Sequence, residues 1–238
     1  MNYEAILFDL DGVIIDTHDA VTELWQELAA QYNIQLSEQD FYQHIYGCSP
    51  QHTIKTLFTS LSEKQQIDFF STIQMREPHL AFKEIPGAIK FLYDLKKQNI
   101  ITALVTSGSM QRVNVVIKHF HLDECFNTFV TGGDIRHGKP NPECYLLAMQ
   151  NLKQSPSVCI VFEDAVSGVK AAKAAGASCI GVQPAKNANI LITAGAHSVV
   201  PDFTAVKFQA ITPFDYKVLL DNYVGVDNVF SIKKQGQQ

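Results

Sequence analysis

The chain has 238 residues, 46% apolar and 18% charged, a balance that supports a buried core and excludes an intrinsically disordered polymer. Nineteen basic residues against 24 acidic give a formal net charge of −5, which leaves no basic field for a nucleic acid or an anionic membrane. The longest apolar runs, at 100–105 and 158–162, are strand-length and far short of the ~18–20 residues that cross a bilayer. Acids at Glu4, Asp9 and Asp11 stand where a secretion signal carries a basic and then an apolar stretch. The five cysteines, Cys48, Cys125, Cys144, Cys159 and Cys179, are odd in number and never form a CxxC, which fits buried thiols in a reducing compartment. The expected location is the cytoplasm.

Residues 4–9 form a short β-branched and apolar run that closes on acids and a glycine, and read as a buried strand with chemistry at its carboxyl end. From 17 to about 80 helical spacing dominates, through Val21, Leu24, Trp25 and Leu28, then Ile54, Leu57, Phe58 and Leu61, then Ile67, Phe70 and Ile73. After Ile85-Pro86-Gly87 a helix is expected to about residue 98, with Pro86 placed to start it. Strands recur at 100–106, 126–131, 157–162, 178–182 and 197–200, separated by amphipathic helix-length segments, the pattern of a mostly parallel sheet covered by helices. Residues 208–238 fit this alternation poorly, and 233–238 are expected to be mobile.

Four motifs carry chemistry. Asp9-Leu10-Asp11-Gly12 places two carboxylates at i and i+2 where a buried strand ends, the edge at which open α/β sheets bind ligands. There Asp9 is suited to act as nucleophile or metal ligand and Asp11 to hold or deliver a proton, while the Asp-Gly pair by itself also reads as a turn. Thr106-Ser107-Gly108-Ser109 joins a strand to a helix starting near Met110; its hydroxyls and helix N-terminus suit a phosphate, and by itself it is an ordinary N-cap. Gly138-Lys139-Pro140 holds a lysine in a rigid loop as a point charge for a phosphoryl group. Glu163-Asp164 at the end of the 158–162 run offers hard oxygen ligands of the kind that Mg²⁺ takes.

The order and content of these motifs resemble the haloacid dehalogenase-like hydrolase superfamily over roughly residues 4–205. The resemblance implies an α/β fold, a Rossmann-like parallel sheet core at 1–16 and 82–210 with an inserted all-helical cap at 17–81, and leaves 211–238 as a tail of unknown role. It implies that Asp9 attacks phosphorus, that Asp11 protonates the leaving oxygen and then activates water, and that Mg²⁺ is held by Asp9, the Asp11 carbonyl and Asp164, with Glu163 close behind. Thr106, Ser107, Gly108 and Lys139 would meet the charge on the phosphoryl group.

Asp11 argues against a dehalogenase, which has no leaving alcohol to protonate. The nearest subgroups are β-phosphoglucomutase-like proteins and small sugar phosphate phosphatases. The mutase pattern places a histidine, a lysine and an arginine where Val21, Tyr46 and Pro50 stand here, around Gly47-Cys48-Ser49. The resulting expectation is a Mg²⁺-dependent phosphatase acting as a monomer on a small phosphorylated metabolite, a sugar or polyol phosphate. A sugar phosphomutase and a non-catalytic phosphometabolite-binding module are the alternatives. Tyr46, Gly47 and Gln51 are the cap candidates for substrate contact. The pair His119-x-His121 lacks a third ligand and reads as structural, Trp25 reads as core packing, and His18 reads as a hinge residue.

Overall fold

The computed structural model describes residues 2–234. Its main sheet has seven strands in the order Val224–Gly225, Ser198–Val200, Ser178–Val182, Cys159–Glu163, Ala5–Phe8, Ile101–Val105 and Thr128–Val130. All neighbours are parallel except the outermost pair, where Val224 opposes Val199. Parallel strands covered on both faces are apolar throughout, and here alternate side chains divide between two layers. Ile6, Phe8, Leu104, Ile160 and Phe162 pack to one side with Phe91 and Phe203. Ala5, Leu7, Ala103, Val105 and Val161 pack to the other with Tyr145, Ala148 and Ala172.

The connecting helices are Ala88–Lys97, Met110–Phe120, Glu143–Leu152, Val166–Ala175 and Ala188–Ala194. From Ala5–Phe8 the chain builds outward through Ile101–Val105 to Thr128–Val130, then returns to pair Cys159–Glu163 on the opposite side of Ala5–Phe8. The strand order therefore reverses between Ala5–Phe8 and Cys159–Glu163, and the carboxyl ends of these two strands open the crevice where such sheets bind ligands.

Between Phe8 and the second strand of the sheet lies a helical insertion. It leaves and rejoins the core through a two-stranded antiparallel ladder, Ile15–Asp16 with Lys83–Glu84, backed by an ion pair from Lys83 to Asp16 at 3.2 Å. His18–Ala30, Pro50–Leu57 and Glu63–Arg76 enclose an aromatic cluster of their own, in which Trp25 packs against Phe58 and Phe69. Ile67, expected on the buried face, is 64% exposed; Phe69 is buried in its place, beside Ile73, which is buried as expected. Phe70, partly buried, packs against the same cluster and also lines the cavity.

The expected strand at 178–182 and helix start at Met110 coincide with the structure. The tail differs from expectation. Val206–Ala210, Asp215–Leu220 and Val229–Lys233 join Asn2–Tyr3 in a four-stranded sheet whose Tyr216, Val218, Leu220, Phe230 and Ile232 enter the core layer of Phe91. Lys233, expected to be mobile, is paired with Asp215; 235–238 lie outside the described residues. All five cysteines are buried and free, and no helix among the described residues is long and apolar enough to cross a membrane.

Candidate active site

Four loops converge at the reversal of strand order. Asp9 follows Ala5–Phe8 directly, Thr106 follows Ile101–Val105, and Glu163 closes its strand with Asp164 next in line. Lys139 comes from the loop ahead of Glu143–Leu152, next to a cis Lys139–Pro140 peptide bond. The Lys139 ammonium donates to Asp9 Oδ1 at 2.9 Å, to Glu163 Oε1 at 2.7 Å and to the Val105 carbonyl at 3.3 Å. The Tyr145 hydroxyl donates to the same Glu163 oxygen at 2.7 Å, and the amides of Asp164 and Ala165 donate to the other at 3.0 and 3.2 Å. Both Glu163 oxygens are thus occupied by protein donors.

Asp164 is different. Its Oδ1 is buried and has no hydrogen-bond partner, an arrangement that is costly unless something else meets the oxygen. Carboxylate oxygens of Asp9, Glu163 and Asp164 lie within 4.8 Å of one another, so three buried acids face a single lysine. Hard oxygen donors with an excess of negative charge suit a divalent cation such as Mg²⁺. Burial raises the Asp9 carboxyl to about 7, although Lys139 beside it pulls the other way. Burial, with Glu163 and Asp9 nearby, also raises Asp164. Burial works against the charge of Lys139, but the Asp9 and Glu163 carboxylates outweigh it and lift its pKa above the ordinary value.

Asp11 sits at the edge of the cavity, where it accepts from the Thr17 hydroxyl at 2.8 Å and has Arg112 Nη2 at 3.8 Å. The Thr106 hydroxyl oxygen accepts from the Gly108 amide at 3.0 Å, so that amide is turned toward the protein. The Ser107 hydroxyl donates to the Gly47 carbonyl of the insertion at 2.9 Å. Ser109 caps Met110–Phe120 by accepting from the Arg112 amide.

A cavity of about 520 Å³ lies between these loops and the insertion. Asp9, Asp11, Thr106, Ser107, Gly108 and Asp164 all line it, while Lys139 and Glu163 stand behind Asp9. From the insertion Tyr46, Gly47 and Gln51 reach it, as do His18 and Trp25. The His18 ring lies against Tyr46 at 4.1 Å between centroids, and Tyr46 shares a hydrogen bond with Thr22 at 2.8 Å. His119 packs on Phe82 and Phe120, and His121 ends its helix in the left-handed region.

Three residues at the site escaped the sequence reading. Arg112 is buried inside an amphipathic helix, where a long charged side chain reads as surface. Tyr145 reads as core, and its hydroxyl contact with Glu163 leaves no trace in the pattern. Glu77 accepts from both the amide and the hydroxyl of Ser109, across a sequence gap that no local spacing reveals.

Comparison with known proteins agrees with this geometry. The family model described as haloacid dehalogenase-like hydrolase matches residues 6–182. A phosphorylated carbohydrates phosphatase of Thermotoga maritima is 33% identical over 203 residues, spanning 83% of this chain and 94% of the relative. Hexitol phosphatase A of Escherichia coli is 34% identical, spanning 76% of this chain and 84% of the relative. Among solved structures, a putative β-phosphoglucomutase from Bacteroides vulgatus superposes with a TM-score of 0.74 at 26% identity, covering 84% of each chain. With a family model matched from the first strand of the sheet to the end of Ser178–Val182, and relatives above 30% identity over most of its length, the chain belongs to the haloacid dehalogenase-like hydrolases.

Proposed function

We propose that the chain is a Mg²⁺-dependent phosphatase that hydrolyses a small phosphate monoester, of a sugar or polyol, through an aspartyl-phosphate at Asp9. Its enzyme class, a phosphoric monoester hydrolase, follows from family membership together with the phosphatase relatives. The observation that carries the reading is the buried Asp9, bonded to Lys139 and grouped with the unpartnered Asp164 oxygen at the floor of a cavity.

In the first step an Asp9 oxygen attacks phosphorus, and the leaving alcohol takes a proton from Asp11. In the second Asp11 takes a proton from water, whose oxygen attacks the same phosphorus and releases Asp9 and inorganic phosphate. Splitting one difficult displacement into two covalent steps is what a carboxylate nucleophile offers. Asp9, Asp164 and the Asp11 carbonyl would hold the Mg²⁺, which supplies positive charge beside the transferring group when bound. Glu163, its oxygens already filled, fixes Lys139 and the Asp164 backbone. The Thr106 hydroxyl and the Ser107 amide form the donor side of the phosphoryl site, the Gly108 amide holds the Thr106 oxygen, and Lys139 supplies positive charge from behind Asp9.

The segment 17–81 serves as the cap on the core of 1–16 and 82–210, which the strands as far as Lys233 extend, and is hinged at the Ile15–Asp16 and Lys83–Glu84 ladder. Its closure excludes water and presents Tyr46, Gly47 and Gln51 to the leaving group. We read the protein as a monomer, and its five free thiols are in keeping with a reducing cytoplasm.

The test is phosphate release from sugar, polyol and nucleoside monophosphates with Mg²⁺, beside Asp9→Asn and an EDTA control. Metal-dependent release that the substitution abolishes is expected. No release from any of them by folded protein would sink the reading and leave the mutase, assayed with a bisphosphate activator, and the binding module.

A further inference from the structure

Glu77 opens the short 3-10 turn Glu77–His79 at the end of the insertion, and its carboxylate crosses to the core. It accepts from the Ser109 amide at 3.1 Å and the Ser109 hydroxyl at 2.6 Å. Those donors stand at the positive end of Met110–Phe120, where an anionic group of a substrate would otherwise be favoured. An acid of this chain already holds the position. The approach is close, since a Cβ on Gly108 would come within 2.6 Å of Glu77 Oε1.

The charges around the cavity sharpen the point. Its acids are Asp9, Asp11, Asp134, Asp164 and Glu77, and among the described residues no lysine or arginine lines it. Asp9 is bonded to Lys139, and Asp164 shares its group of donors. Asp11 has Arg112 at 3.8 Å, and Asp134 accepts from both the amide and the hydroxyl of Thr131 at 2.8 Å. Burial works against the Glu77 charge while its Ser109 hydrogen bonds and nearby Arg112 favour it; Glu77 makes no ion pair among the described residues, since Arg112 is turned to Asp11 and to the Leu80 carbonyl. Trp25, Phe70, Ile73 and Leu80 line the same cavity and displace the water that would screen a like charge.

The geometry points to Glu77 as the residue that sets the charge of the leaving group: the cavity takes monophosphates whose remaining part is uncharged and rejects those with a second phosphate or a carboxylate. This specificity rests on the phosphatase reading above. It also disfavours a bisphosphate, the species a mutase cycle must retain.

The test compares two ligands of one shape. Glucitol 6-phosphate and 6-phosphogluconate differ at carbon 1, a hydroxymethyl in one and a carboxylate in the other. Their kcat/KM is measured with Mg²⁺ in the wild type, in Glu77→Gln and in Glu77→Ala, and their affinity by calorimetry in Asp9→Asn with and without each Glu77 substitution. Wild type is expected to favour the uncharged ligand by about tenfold or more, and both Glu77 variants to bring the ratio toward one. Loss of a merely structural contact to Ser109 would weaken both ligands alike and leave the ratio in place.

A ratio near one in the wild type, or the wild-type ratio retained in both variants, overturns the proposal while phosphatase activity stands. The expected binding preference without hydrolysis of either ligand supports charge selection by Glu77 and leaves the phosphatase reading to the wider panel above. Binding of neither ligand overturns the proposal.

Discussion

Arg112 ties Asp11 to the point where the insertion rejoins the core: its Nη2 lies 3.8 Å from Asp11 Oδ1, and its Nη1 donates to the Leu80 carbonyl at 2.7 Å. The guanidinium is 1% exposed and lies over the Phe82 ring at 4.9 Å. One buried cation therefore lies beside the proposed proton carrier as a charge, its Nη2 without a hydrogen bond, and is bonded to the end of the helical segment. Arg112→Met keeps the bulk and removes both polar contacts. We expect kcat to fall about tenfold, because Asp11 loses the charge beside it while phosphate contacts remain. Stability should fall by ~1–3 kcal/mol for the unpaired carbonyl and the lost charge. Arg112→Lys restores little, since lysine lacks the planar fork whose Nη1 and Nη2 lie toward the Leu80 carbonyl and Asp11. Steady-state kinetics and urea unfolding of the two variants check this, and full kcat in the methionine variant would count against it.

Gly47 is a point of close contact between the insertion and the core. Its φ of +69° lies in the left-handed region, and a Cβ there would meet the Ala165 side chain at 2.6 Å and the Ser167 hydroxyl at 2.8 Å. Its carbonyl accepts from Ser107, and the preceding Tyr46 carbonyl accepts from Ser167. Gly47→Ala must therefore lift the insertion from the cavity mouth, because Ala165 belongs to the packed core. We expect a higher KM and a lower kcat, with ~1–2 kcal/mol lost to the strained backbone. Ser107→Ala, which removes the hydrogen bond without the clash, should have the smaller effect on KM. Hydrogen exchange should show faster opening in 41–57 of the glycine variant than in the sheet.

The buried Asp9 gives the metal-free protein a defined pH dependence. Its carboxyl rises from an ordinary 3.8 to about 7 in the fold, chiefly through burial, so between these values the folded state binds the proton more tightly than the unfolded one. The stabilisation is fully present below 3.8 and is lost as pH rises through about 7. In EDTA, the melting temperature of wild type relative to Asp9→Asn should therefore fall as pH rises from 3.8 to about 7 and level off above that. Mg²⁺ competes with that proton, so stabilisation by Mg²⁺ should grow across the same window. A wild-type advantage that is flat with pH in EDTA would show that Asp9 is already ionised without metal.

The reactive side chains were legible because their chemistry stands at strand ends: Asp9, Thr106 and Asp164 each follow an apolar run, and the fold brings them to one cavity. Lys139 was legible from its rigid loop, but its bonds to Asp9 and Glu163 bridge gaps of 130 and 24 residues. Arg112 and Glu77 were not legible, since a buried charged residue is identified by its partner, and each partner lies about 30 residues away or more. The alternation of Tyr216, Val218 and Leu220 was present in the sequence, yet its meaning depends on a sheet whose members come from both ends of the chain. Local pattern carries the elements; distant pairing carries their use.

That distant pairing gives the last prediction. Asn2–Tyr3 runs parallel to Val229–Lys233, with Tyr3 opposite Ile232, and the Tyr3 ring lies 5.8 Å from that of Phe230. The Tyr3 hydroxyl shares a hydrogen bond with Ser178 at 2.8 Å, linking this small sheet to a strand of the main one. Phe230 is 2% exposed among Tyr3, Val218 and the rest of the same core layer, so Phe230→Ala removes a fully packed ring. We expect a loss of ~3–5 kcal/mol, and about 1 kcal/mol for Phe230→Leu, which keeps most of the volume. Chain termination after Ala210 should cost more than either, because it exposes Tyr3 and leaves Val206–Ala210 without its partner strand. Urea unfolding of the three variants would show one shifted transition if the segment belongs to the core. A midpoint unmoved by Phe230→Ala would mean that residues past 210 ride on the surface.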